Sequence, residues 1–373
     1  MLFKKVKEEI NQNYKDRNEG KITSIPWSLP RLSTVLPGIT KKGKYINITA
    51  NSKVGKSQLT DFLYVFQPIE WLMNNPYSGI SLKIMYFSLE MSKNEKILSA
   101  ISYKLFRDYD IIISPENIQS LFNGYILDKR ILDIINSDEF QQWFAFFESC
   151  IEYYDEVRNP YGIFNTVKTY ADNNGYFTTK EIDWQKEDGT TIKRTVKDQY
   201  IPNNPNEYVI IIVDHISLLS PEKGETLHSA MGRFSSEYAL HIRDKFNYNI
   251  VVVQQQSAAS EQQQFTAKGD TIIDKLKPSP DYLGDNKLVG RDVNLMLGLF
   301  WPARYGISSY EGWDLKKIGR NHREFSILLN RNGISSATIQ MYFNGVCNYF
   351  TELPRVPEEK IYDKINYWNE ITI

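Results

Sequence analysis

The segment Ala50-Asn51-Ser52-Lys53-Val54-Gly55-Lys56-Ser57 constrains this chain more than any other, because of what flanks it. Residues 44–50 (KYINITA) form an apolar, β-prone run, and helical character resumes over 58–66. A tight loop between a strand and a helix aims successive backbone N–H groups at one point, where the positive end of the new helix also acts. The loop fits the P-loop pattern with Ala in the first position in place of Gly. Lys56 is predicted to reach the β- and γ-phosphates of a nucleotide, and Ser57 to offer its hydroxyl to Mg²⁺. Ala50, Asn51, Ser52, Lys53, Val54 and Gly55 complete the cradle, so ATP and Mg²⁺ are the expected cofactors.

The rest of the chain repeats the strand–helix rhythm. Residues 83–87, 208–213, 249–253, 295–300 and 326–329 read as further strands. The run YVIIIV at 208–213 is apolar almost throughout, as a central parallel strand covered on both faces must be. Residues 94–107, 116–149 and 229–246 read as helices. This alternation predicts an α/β fold with a mainly parallel twisted sheet flanked by helices. One segment breaks the rhythm. Residues 176–200 are polar and place Asp188-Gly189 between β-prone flanks, which predicts a hairpin inserted at about 165–205.

Residues 1–25 read as a linker helix with Leu2, Phe3, Val6 and Ile10 on one stripe, to be buried either on its own domain or on a neighbouring subunit. The main domain is expected over 26–353, with 354–373 as a tail.

Bulk properties exclude some classes. The 373 residues are 42% hydrophobic and 24% charged, a globular balance. Cys150 and Cys347 and the four histidines show no metal-ligand spacing. No apolar window is long enough for a membrane span, and the charged start has no signal-peptide core, so a soluble, cytoplasmic protein is expected. The net charge of −1 neither supports nor excludes nucleic acid.

Two carboxylates close strands. Asp214 directly follows YVIIIV, where ligands bind in open α/β sheets, and is predicted to hold Mg²⁺ with Ser57. Glu90, in Phe87-Ser88-Leu89-Glu90-Met91, suits a general base for the attacking water, or equally a helix-start carboxylate.

With these residues in hand, the chain resembles the DnaB family of ring helicases and, more broadly, RecA-like ATPases. The family's second motif contains Phe-Ser-Leu-Glu-Met, present verbatim at 87–91. The resemblance implies a RecA-like P-loop NTPase core carrying a polar β-hairpin insert, with Glu90 as catalytic base and Asp214 as the metal-side carboxylate. It aligns Gln255, within Gln254-Gln255-Gln256, with a γ-phosphate sensor, the register open by one residue. It aligns Arg331, in Asn330-Arg331-Asn332-Gly333, with an arginine finger that reaches the neighbouring subunit's nucleotide. The family's Lys near that finger is Leu329 here, unless Arg320 or Arg323 supplies the charge. The resemblance covers roughly residues 26–350 and leaves no room for the family's N-terminal primase-interacting domain. The Asn, Ile, Lys and Tyr bias and the compact layout point to a phage.

By the same resemblance, loops after the Asp214 strand and after the Gln strand line a ring's pore. They carry Lys223, Arg233, Lys268, Lys275, Lys277 and Lys287, which are candidates for tracking DNA phosphates or else ordinary solvated cations. The leading expectation is a homohexameric helicase motor on single-stranded DNA, with primase or other replication proteins as further partners. A RecA-type recombinase filament and a nucleotide-gated scaffold or loader are the alternatives.

Overall fold

The computed structural model describes residues 2–265 and 271–371, without the side chains of Leu2 and Lys5. Nine strands form one sheet: β1 (Tyr45–Ala50), β2 (Ser81–Ser88), β3 (Ile151–Tyr154), β4 (Glu207–Asp214), β5 (Asn249–Gln255), β6 (Leu295–Phe300), β7 (His322–Asn330), β8 (Thr338–Asn344) and β9 (Tyr349–Glu352). Their spatial order is β9-β8-β7-β6-β1-β5-β4-β2-β3. The six strands from β6 to β3 are parallel, and β7, β8 and β9 continue the sheet antiparallel. Every residue of β1 is buried, and so are seven of the eight in β4, because helices cover both faces.

Helix α1 is Leu2–Asn18. Helix α2 starts as Lys56–Asp61, continues through a π-type segment Phe62–Phe66 and ends as Gln67–Asn74. Helix α3 (Lys93–Tyr109) opens with a capping box in which Ser92 and Glu95 satisfy each other's backbone N–H groups. Helices α4 (Asp138–Cys150) and α5 (Pro160–Asn173) follow, then α6, which runs as Leu227–Arg233, Phe234–Ala239 and Leu240–Phe246. Leu59, Phe62, Phe66, Tyr103, Trp143 and Phe147 fill one side of the sheet. Ile163, Val167, Met231, Phe234 and Ile242 fill the other.

Three features differ from the sequence reading. Residues 116–149 are not one helix. Gly124, at φ +81°, turns the chain, and Asp128 and Ser137 cap new starts, giving Lys129–Ile135 and α4. The hairpin strands span Gly175–Gln185 and Thr191–Pro202, while 165–173 belong to α5, whose Ile163, Val167 and Ala171 are buried. Residues 354–373 are more than a tail. Helix α7 (Glu359–Glu370) seats Tyr362, Ile365 and Trp368 against Phe106, Trp313 and Tyr342. Among the described residues, no helix is long and apolar enough to cross a membrane.

The stripe on α1 finds no cover within the chain. Phe3, Val6, Ile10 and Tyr14 are 78%, 43%, 61% and 71% exposed. Packing on its own domain is thereby removed for these side chains; that of Leu2 lies outside the described residues.

Candidate active site

The parallel strands β1, β2, β4 and β5 end on one edge of the sheet, and the predicted site residues collect there. A cleft of ≈ 560 Å³ is lined by Lys53, Gly55, Lys56, Ser57, Glu90, His215 and Gln255. Gly55 adopts φ +112°, and a Cβ on it would stand 3.0 Å from the Phe343 ring, so both backbone and space require glycine at this turn. Lys56 begins α2, and its Nζ donates to Asn51 O at 3.2 Å, closing the loop on itself. Burial lowers the Lys56 pKa, against the pull of Asp214 and Glu90.

The two oxygens of Asp214 have separate partners. Oδ1 accepts from the Ser57 hydroxyl at 3.0 Å. Oδ2 accepts from Tyr86 OH at 2.9 Å and from Lys96 Nζ at 3.3 Å. A hydroxyl and a carboxylate oxygen side by side suit a hard divalent cation that keeps most of its waters, so this pair fits Mg²⁺. Glu90 is half exposed at the cleft, and its Oε2 lies 3.9 Å from His215 Nε2. Desolvation lowers the His215 pKa and favours the neutral ring.

The three glutamines separate by strand alternation. Gln254 and Gln256 point the same way and are buried. Gln254 accepts from Asn47 at 2.9 Å and donates to Gly284 O and Asn286 O at 2.7 and 2.9 Å. Gln256 donates to Thr49 Oγ1 at 2.9 Å. Gln255 points the other way and lines the cleft.

Arg331 lies elsewhere. Asn330 pairs with Leu295, and Leu295 with Ile46, so the end of β7 sits level with the start of β1, at the edge opposite the P-loop. There Arg331 donates from Nε to Val293 O at 2.8 Å and from its fork to Arg291 O. Arg323 is at the other end of β7, beside this chain's own P-loop. Its Nε donates to Val54 O at 2.8 Å, and its guanidinium lies 4.3 Å from the Trp301 ring centre and 4.8 Å from that of Phe343. Burial pulls its pKa down to about 9. Arg320, which precedes this same end of β7, donates to Asn369 at 3.3 Å. Neither arginine replaces a cation at Leu329, seven strand positions from the start of β7, whose side chain packs against the α5–α6 core.

Several supports were not visible in the sequence. Asn51 donates to Tyr305 OH at 2.8 Å and accepts from Ser260 at 2.8 Å. Arg304 bonds Ser52 O and pairs with Glu261 at 3.0 Å. The loop after β5 is thus bonded to the cradle. Lys96 is buried between Asp61 and Asp214; burial opposes its charge, but the two carboxylates outweigh that and raise its pKa.

The candidate DNA contacts divide. Arg233 is committed to Glu222 and Glu225, and Lys277 to Asp274 and the buried Glu324, so neither presents an unpaired charge. Lys223, Lys275 and Lys287 are exposed. Lys268 lies outside the described residues. The two loops touch each other: His228 Nδ1 donates to Asp285 O and Asn286 Nδ2 to His228 O, both at 2.6 Å.

No protein-family model matches the sequence, and no curated protein matches it. Solved structures do match. The ATPase domain of a phage helicase aligns with a TM-score of 0.61 at 16% identity, over 94% of this chain and 99% of that one. A DnaB-like replicative helicase, described with its interactions with primase, aligns with a TM-score of 0.62 at 16% identity. That alignment covers 93% of this chain and 66% of the helicase chain. The chain therefore has the fold of the ATPase domains of DnaB-like helicases, a RecA-like sheet with an antiparallel extension at one edge.

Proposed function

We propose that this chain is the ATP-hydrolysing motor of a ring-shaped DNA helicase that moves on single-stranded DNA during replication. The observation that carries the reading is the convergence of Lys56, Ser57, Asp214, Glu90 and Gln255 on one cleft of a RecA-like sheet. Lys56 and the loop amides hold the phosphates. Ser57 and Asp214 would hold Mg²⁺, which supplies charge neutralisation on the β- and γ-phosphates. Glu90 accepts the proton of the attacking water, and Gln255 contacts the terminal phosphate.

Coupling to DNA runs through β5. Gln255 faces the nucleotide while its neighbour Gln254 is bonded to the carbonyls of Gly284 and Asn286. A shift at Gln255 therefore moves the loop that carries Lys287, and through Asn286 and His228 the loop that carries Lys223. With Lys275 these cations track the phosphate backbone.

Assembly uses both ends of the sheet. Arg331 reaches the nucleotide of the next subunit, and the exposed stripe of α1 docks on a second copy. The surface that receives it is Leu121, Phe122, Ile126 and Leu132, which are 63%, 56%, 86% and 46% exposed. This patch follows Ser114–Glu116 on the rim of the nucleotide cleft. Apolar surface left open on both sides is stabilised by mutual burial, at about 25 cal/mol per Å².

The test is ATPase activity with and without single-stranded DNA, strand displacement on a forked duplex, and electron microscopy with an ATP analogue. The reading expects DNA-stimulated hydrolysis, unwinding and closed or lock-washer rings. Filaments on DNA would favour a recombinase. Hydrolysis without unwinding, with monomers in the images, would favour a loader or scaffold.

A further inference from the structure

We infer that Lys96 is a positioning residue for the metal-side carboxylate: buried beside Asp214, it fixes one oxygen so that the other is presented to the cation. The inference rests on the nucleotide-hydrolysis reading and adds to it a residue outside the phosphate-binding motifs.

Lys96 is 1% exposed at its side chain, yet it sits at the first turn of α3, where a lysine ordinarily extends into solvent. Its Nζ lies 3.2 and 3.1 Å from the two oxygens of Asp61, 2.6 Å from Tyr86 OH and 3.3 Å from Asp214 Oδ2. Tyr86 OH in turn donates to the same Asp214 oxygen at 2.9 Å. Oδ2 is therefore held from the inner side by a cation and a phenol. Oδ1 is left to Ser57 and the cleft. A carboxylate free to rotate would offer the cation either oxygen or both; this one offers a single oxygen in a set direction.

The four groups come from four elements: Asp61 on α2, Tyr86 on β2, Lys96 on α3 and Asp214 on β4. The segment between β2 and α3 carries Glu90. The Lys96 anchor thus also sets the base segment relative to the metal face. Outer contacts of this kind typically change metal affinity or activity by about 10- to 100-fold when removed.

Lys96→Met alone would leave Asp61 and Asp214 as two buried carboxylates and invites misfolding. The experiment therefore compares Asp61→Asn with Asp61→Asn/Lys96→Met, in which the ion pair is replaced by neutral groups. Thermal melting confirms the fold of both. Binding of N-methylanthraniloyl-ADP is measured with and without Mg²⁺, alongside ATPase titrations in Mg²⁺. Expected in the double variant, relative to the single one, is unchanged metal-free ADP binding, about tenfold more Mg²⁺ for half-maximal effect, and a kcat lower by about tenfold with KM for ATP held. Tyr86→Phe removes only the shared hydroxyl and shifts the Mg²⁺ requirement in the same direction, so it carries the test if the double variant fails to fold. Equal Mg²⁺ dependence and kcat in single and double variants overturns the inference, as does an unshifted Tyr86→Phe. If no form hydrolyses ATP, the hydrolysis reading fails, while Mg²⁺-dependent ADP binding still reports on Lys96.

Discussion

Arg331 offers the sharpest test of a shared site, because its position forbids one in its own subunit. It stands one residue beyond Asn330, which is level with Ile46, and two strands from β1. At ~3.3 Å per residue and ~4.8 Å per strand, that places it about 20 Å from the cradle beyond Ala50, well outside the reach of its side chain. In the isolated chain its fork is satisfied by Val293 O and Arg291 O, so acting in trans requires it to leave those carbonyls for a neighbour's phosphate. An arginine that stabilises transferring phosphoryl charge is worth ~10³-fold or more in rate. At about 1.4 kcal/mol per factor of ten, that is roughly 4 kcal/mol of barrier. Arg331→Ala is therefore expected to lose about three orders of magnitude in ATPase turnover while binding nucleotide normally. Glu90→Gln is expected to be inactive in cis. Mixing the two restores activity, because an interface can pair an intact Glu90 face with an intact Arg331 face. Random mixing of equal amounts in a head-to-tail ring makes about a quarter of interfaces complete, which caps recovery near a quarter of the wild-type rate if sites act independently. The assay is steady-state hydrolysis across mixing ratios, with light scattering to show co-assembly. Co-assembled mixtures with no recovery at any ratio would refute the trans assignment and leave Arg331 as a strand-end residue bonded to local carbonyls.

Lys56→Ala is expected to abolish turnover and weaken nucleotide binding, since Lys56 is the cation at the centre of the cradle; hydrolysis near the wild-type rate would remove the phosphate site from this loop. Glu90→Gln keeps nucleotide affinity and stops hydrolysis, because an amide keeps the shape but cannot take a proton; equilibrium binding beside single-turnover rates separates the two. Deleting residues 1–25 is expected to leave a folded core, since the described stripe on α1 is exposed, but one that no longer forms rings by light scattering. The paired change Phe122→Ser/Ile126→Ser is expected to have the same effect on assembly with the melting temperature unchanged, and rings that persist in both would dissociate the stripe from the patch.

What the sequence disclosed follows the range of the interactions involved. The cradle was legible because its parts are adjacent: a strand, a Gly-Lys-Ser loop and a helix start need no distant partner to be recognised. The glutamine register was legible in principle as well. Alternation along β5 puts Gln254 and Gln256 on one side, and the polar Asn47 and Thr49 of the otherwise apolar β1 are the partners that claim them. The 116–149 segment failed for a local reason, because helical spacing of apolar residues continues across breaks marked only by Gly124, Asp128 and Ser137. The short outer strands β8 and β9 carry too few residues for their pattern to compete with the surrounding turns.

Lys96 was hidden for a different reason. A lysine at a helix start reads as solvated, and its partners Asp61 and Asp214 lie 35 and 118 residues away in sequence. Nothing near it announces that it is buried. The same holds for Arg323, whose carbonyl partner Val54 is 269 residues distant. These long-range cations tie the ends of the chain to the cradle. Arg323 joins β7 to the P-loop at one end of the strand, and Arg331 stands at the other. One strand therefore touches this subunit's nucleotide edge and presents the residue proposed for the next subunit's. A displacement of β7 along its own axis would be felt at both sites, so turnover in neighbouring subunits is expected to be coupled through β7 even where no DNA is bound.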